Sequence, residues 1–159
     1  MSGGVGPRRR GRELVFRLLY QADLTNDSIA TLWQGAREAE RLPGEADEYV
    51  DALVTALEEG LPDLDRRIGL ALEKWNMERL AVTDRSVLRL ATAEFVHLPG
   101  TPARVTIDEA VAIARKYGRE ESGRFVNGVL DRLARDIRPG ELDANATGHG
   151  AAVLPEDGA

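Results

Sequence analysis

Cysteine is absent from this chain of 159 residues. That excludes disulfides, a thiol nucleophile and cysteine-ligated zinc, and it fits a reducing compartment. Aromatic residues are scarce, at 5%, so Leu, Val, Ile and Ala must supply most of a core. No apolar run approaches the roughly 20 residues of a membrane span. The basic N-terminus is not followed by the apolar stretch and small-residue cleavage site of a signal peptide. The expected setting is cytoplasmic, with no membrane partner. Histidine is nearly missing as well: His97 and His149 lie far apart, which leaves no pair for acid–base work. Neither GxxxxGK[ST] nor GxGxxG occurs, so no phosphate-cradling loop is encoded. The acidic pairs Asp63/Asp65, Asp108/Glu109 and Glu120/Glu121 read as charges favoured at helix N-termini, since no His/Asp/Glu set has a metal-ligand spacing. The chain is therefore expected to be no enzyme, to hold no metal and to need no cofactor.

What is present is helical pattern. The length suits one domain with a real core, and 43% hydrophobic against 30% charged residues marks a globular chain. The opening MSGGVGP crowds three Gly and a Pro into seven positions, so residues 1–7 read as flexible. Residues 8–139 read as one domain. From Gly140 the chain loses periodicity, and residues 140–159 read as a disordered tail. Within the domain, apolar residues recur at i, i+3, i+4 and i+7, as in Val15/Leu18/Leu19/Ala22. Asp27 or Ser28 is expected to cap a second helix through Ile29, Leu32, Trp33 and Ala36. Val50/Leu53/Val54/Leu57 gives a third, punctuated by Gly60. Leu61/Leu64/Ile68/Leu72/Trp75 gives a fourth stripe. Thr83 or Asp84 is expected to cap a fifth, running to Leu98 before Pro99. Thr106-Ile107-Asp108-Glu109 reads as a capping box opening a helix that stops at Gly118, and Ser122 opens the last, ending near Pro139. Seven helices with short connections and no strand alternation make an all-α fold.

Two local conflicts stand out. Arg8, Arg9, Arg10 and Arg12 crowd the start of the first helix in a chain of net charge −6. Cations there oppose the helix dipole, so folding is expected to gain nothing from them. They read either as a solubilising entry, with Arg9 paired to Glu13 at i, i+4, or as an arm for phosphates, whose oxygens the guanidinium fork grips in pairs. In "SGRFVNGVLDRL", residues 122 to 133, Gly128 sits mid-helix, where Gly costs about 1 kcal/mol relative to Ala. Close approach of a neighbouring helix would explain it. Phe125 lies at the edge of the stripe, as core or as a half-exposed platform on which an unpaired base stacks beside the arginines.

"RRRGRELVFRLLYQAD" (8–23), "AVTDRSVLRLATAEF" (81–95), "PARVTIDEAVAIARKYG" (102–118) and "SGRFVNGVLDRLA" (122–134) resemble, in that order, segments of the NusB transcription-antitermination family. The resemblance implies an all-α fold of two small helical bundles and no catalysis. It implies binding to boxA single-stranded RNA of ribosomal RNA leader transcripts, together with the ribosomal protein NusE, in an antitermination complex with NusA, NusG and RNA polymerase. Arg8, Arg9, Arg10 and Arg12 match the family's RNA-binding arm, and Arg89 and Phe125 match positions implicated in RNA contact. Tyr20, Asp84 and Glu121 match positions facing the protein partner. Asn127 and Gly128 fall in the family signature, with close packing of the last helix as their expected purpose. Gly11 interrupts the arm and is expected to loosen its helical start. Two other readings stay open on the sequence: a helical module related to ribosomal-RNA cytosine methyltransferases, and a purely protein-binding helical adaptor.

Overall fold

The computed structural model describes residues 6–143. The expected flexible start and tail lie, for residues 1–5 and 144–159, outside the described residues. Six α-helices and one 3-10 turn make up the fold: α1 (Pro7–Thr25), α2 (Ile29–Glu40), α3 (Gly44–Ala71), the 3-10 turn (Met77–Arg79), α4 (Val82–His97), α5 (Ala103–Tyr117) and α6 (Ser122–Ile137). Among the described residues there is no strand, and no helix is long and apolar enough to cross a membrane. Helices α1 to α3 form one bundle and α4 to α6 another, with α4 packed on α1, α3, α5 and α6. That central place explains its composition: Val87, Leu88, Leu90, Ala91, Ala93 and Phe95 are all buried.

Local chemistry sets most boundaries. Pro7 occupies the first turn of α1, where its missing N–H is no loss. Ser28 caps α2 by accepting from the Thr31 N–H at 3.2 Å. Asn26 and Arg41 close α1 and α2 with left-handed φ values of 63° and 50°.

Four boundary expectations need correction. The break at Gly60 does not occur: α3 runs unbroken for 28 residues with Pro62 inside it. Val50, Leu53, Val54, Leu57, Leu64 and Ile68 stay in phase on the buried face, while Pro62 lies on the exposed side. Core packing thus outweighs the roughly 3 kcal/mol that an interior Pro costs. Trp75 leaves the stripe altogether and is 52% exposed. Helix α4 starts at Val82, with Ala81 at its cap, so Thr83 and Asp84 sit inside its first turn. The capping box is not one. Helix α5 begins four residues earlier, after Pro102, and the Thr106 and Glu109 side chains turn to other helices.

The C-terminal boundary also moves. Residues 141–143 are helical, Leu142 is buried, and the Glu141 carboxylate accepts the Ala103 N–H at 2.5 Å. Arg138 donates to the carbonyls of Phe95 and Leu98 at the end of α4, which lacks partners within the helix, and to that of Thr101 in the following loop. The packed unit therefore continues past residue 139.

Candidate nucleic-acid interface

The four N-terminal arginines divide by burial. Arg12 points inward and is only 4% exposed. Its Nε donates to Glu94 Oε2 at 2.6 Å and its terminal nitrogen to Oε1 at 3.1 Å. Glu94 also accepts from the Tyr49 hydroxyl and, at 2.9 Å, from Thr106 Oγ1. One buried carboxylate therefore ties α1, α3, α4 and α5 together. Burial opposes the Arg12 charge, but the hydrogen bond and charge of Glu94 outweigh it and hold the guanidinium's pKa up. Burial, then the Glu94 charge, push the Tyr49 hydroxyl's pKa far above its usual range. The expectation that folding gains nothing from these arginines fails at Arg12, because the tertiary partner lies on α4 and leaves no trace in the local pattern.

Arg8, Arg9 and Arg10 are exposed. Arg8 donates to Thr101 Oγ1 at 3.2 Å and sits 4.8 Å above the Tyr49 ring. Arg9 does not pair with Glu13. It grips Glu109 with two bonds, of 2.8 and 2.6 Å, and that hydrogen bond, with the charge behind it, lowers the Glu109 pKa. Glu13 instead accepts from Lys116 and the Tyr117 hydroxyl. The Arg10 side chain has no ionic partner among the described residues. Gly11 does not loosen the helix. It is buried, and a Cβ there would meet Tyr49 and Val50 carbons at 3.1 Å, so glycine lets α1 lie close on α3 and seats the arm.

The remaining candidates lie elsewhere. Asp84, Glu121 and Phe125 line one hollow of about 270 Å³, with Trp75, Arg79 and Arg119. No residue of the arm lines it. Phe125 is half-buried and packed on the core. Asp84 Oδ1 is buried without a hydrogen-bond partner. Burial raises the Asp84 pKa, with Glu121 adding to it and Ser122 and Arg119 opposing. Tyr20, 38% exposed, lines an adjoining hollow with Phe16, Arg17, Thr83 and Tyr117. Asp84 and Glu121 thus share one hollow, while Tyr20 lines the other beside Thr83. Arg89 is apart from both groups, bonded twice to Asp65 at 2.9 Å and near Asp23.

Of the acidic pairs, Glu120/Glu121 lies at the N-terminus of α6 as expected, and the other two need correction. Asp63 is inside α3, bonded to Arg66 and Arg67, and Asp65 and Glu109 serve Arg89 and Arg9. No group of three or more metal-ligating side chains gathers among the described residues. Asn127 is exposed, and a Cβ on Gly128 would meet nothing within 4 Å. Helix packing therefore does not explain that glycine.

Sequence reasoning missed Glu94 and placed Trp75 in a buried stripe instead of in the hollow it lines. The signal for Glu94 was a lone carboxylate inside the apolar run "LRLATAEFV", a position that demands a buried partner.

The NusB family model matches residues 9–135. The transcription antitermination protein NusB of Pseudothermotoga lettingae is 42% identical over 134 residues, covering 84% of this chain and 95% of the relative. That of Thermotoga maritima is 44% identical over 135 residues, covering 85% and 95%. Among solved structures, Thermotoga maritima NusB superposes with a TM-score of 0.77 at 40% identity, covering 84% of this chain and 94% of that one. A crystal structure of antitermination factors NusB and NusE in complex with double-stranded RNA gives 0.74 at 28% identity, covering 82% and 97%.

Proposed function

The chain belongs to the NusB family of transcription antitermination proteins, which are not enzymes, and on that footing we propose that it acts in the cytoplasm by binding boxA RNA of ribosomal RNA leader transcripts jointly with NusE. The observation that carries this reading is the division of labour in the arm. Arg12 fixes the helix from within, and Arg8, Arg9 and Arg10 are held outward at its tip. A phosphate can take the place of Glu109 at Arg9, whose side chain is 55% exposed and whose guanidinium fork suits phosphate oxygens as well as a carboxylate. The acidic remainder of the chain repels nucleic acid elsewhere and keeps the contact local.

The face of Tyr20, Asp84 and Glu121 takes NusE. Asp84 and Glu121 lie beside Arg79 and Arg119 in one hollow, a mixed-charge surface that suits paired polar contacts with a protein partner. Phe125, in the hollow between that face and Trp75, offers a stacking surface where RNA and NusE meet. Arg89, clasped by Asp65, and Arg12, buried, support the fold beneath these surfaces. The assembled complex then engages NusA, NusG and RNA polymerase.

Binding of boxA RNA, with and without NusE, measured across salt concentrations, tests the reading. Replacing Arg8, Arg9 and Arg10 with Ala is expected to lower the magnitude of the log K against log[salt] slope by about 2, at about 0.7 per phosphate on a single strand. An unchanged slope removes the arm from the RNA contact.

A further inference from the structure

Several exposed arginines of α5 and α6 have no ionic partner among the described residues, and two of them share one groove. In this acidic chain Arg12, Arg37, Arg85, Arg89 and Arg138 each grip a carboxylate. Arg115 and Arg124 are exposed and have no ionic partner among the described residues. Both line an open groove of about 470 Å³ between α5 and α6, with Asp108, Ala112, Gly123 and Asn127. Gly123 shapes it: a Cβ there would stand 2.9 Å from Arg115 Cγ and Nε, so bare backbone lets that arginine lie across α6. Asn127 and Gly128 continue the same helix face. Both are poor interior helix residues, and nothing packs on Gly128.

We propose that this groove is a second RNA contact, which takes the sugar–phosphate backbone of the strand bound by the arm. The proposal rests on the RNA-binding reading above. Two guanidinium forks and the Asn127 amide offer donors suited to phosphate and sugar oxygens. No aromatic side chain lines the groove, so it provides no stacking platform and reads backbone, not bases. Groove and arm share α5. Glu109, which holds Arg9, is the residue next to Asp108 of the groove. Arm and groove therefore flank α5, about one helix diameter or ~10 Å apart, a span that an extended single strand crosses.

The test uses the full chain and a fluorescent single-stranded RNA carrying boxA, with NusE present, and compares wild type, the arm variant (Arg8, Arg9 and Arg10 to Gln) and Arg115→Gln/Arg124→Gln. The groove variant is expected to bind about tenfold more weakly at low salt, with the salt slope reduced by about 1.4 for two lost phosphates. Asn127→Glu, which puts a negative charge in the groove, is expected to weaken binding in the same direction. Thermal melting should be unchanged in both, since these side chains are exposed. If the arm variant loses affinity while the groove variant keeps wild-type affinity and slope, the groove proposal is overturned and the RNA reading stands. If wild type shows no salt-dependent RNA binding, both fall. If the groove variant loses NusE capture in the absence of RNA, the groove is a protein contact and the proposal is overturned.

Discussion

Arg12 and Glu94 form a doubly hydrogen-bonded ion pair whose side chains are 5% and 1% exposed, joining α1 to the central helix. The same arginine belongs by sequence to a basic cluster and by structure to the core. The basic cluster is thereby carried on a rigid helix tip.

Removing one member of that pair leaves a buried charge uncompensated. Arg12→Met is expected to cost about 3–5 kcal/mol, read as a lower urea midpoint at neutral pH. Adding Glu94→Gln should recover part of the loss, because Tyr49 and Thr106 no longer face an isolated carboxylate. A single variant as stable as wild type would show that the pair contributes nothing.

Asp84 behaves oppositely. Burial raises its pKa in the fold above the ordinary carboxylate value of 3.8, so the ionised form is disfavoured in the folded state. The penalty is present at neutral pH and is relieved as pH falls through the raised folded pKa. Asp84→Asn is therefore expected to melt at a higher temperature than wild type at pH 7, with the gap closing near pH 3. The same variant should capture NusE more weakly. Equal melting temperatures at both pH values would remove the electrostatic account.

The two helical glycines are expected to respond with opposite signs. Gly128→Ala meets open space and should stabilise by about 1 kcal/mol through helix propensity. Gly11→Ala pushes on Tyr49 and Val50, and overpacking of about 1–3 kcal/mol exceeds that gain, so it should destabilise. Chemical denaturation of the two variants side by side checks the pair. Stabilisation by both would mean that α1 and α3 have slack between them.

The helical stripes of α1, α2, α4, α5 and α6 were legible because each follows one period and ends at a cap, a Gly or a Pro. The fusion of two expected helices into α3 was not. Gly60 and Pro62 are local stop signals, and only the buried neighbours of Leu57 and Leu64 overrule them. Thr106 and Glu109 mimic a capping box by spacing alone, while their real partners, Glu94 and Arg9, are distant in sequence. The candidate site was legible as a set of residues. Its division was not, since nothing local to Arg12 says that it turns inward, or to Phe125 that it lies with Asp84 and not with the arm.

The bond between Glu141 and the Ala103 N–H has a consequence for the order in which the protein is made. Helix α5 lacks a side-chain cap of its own and borrows one from 38 residues downstream. During synthesis its first turn stays unfinished until residue 141 leaves the ribosome. Glu109, on that helix, holds Arg9, and Thr101, just before it, holds Arg8. The arm thus reaches its final setting only when nearly the whole domain has been translated.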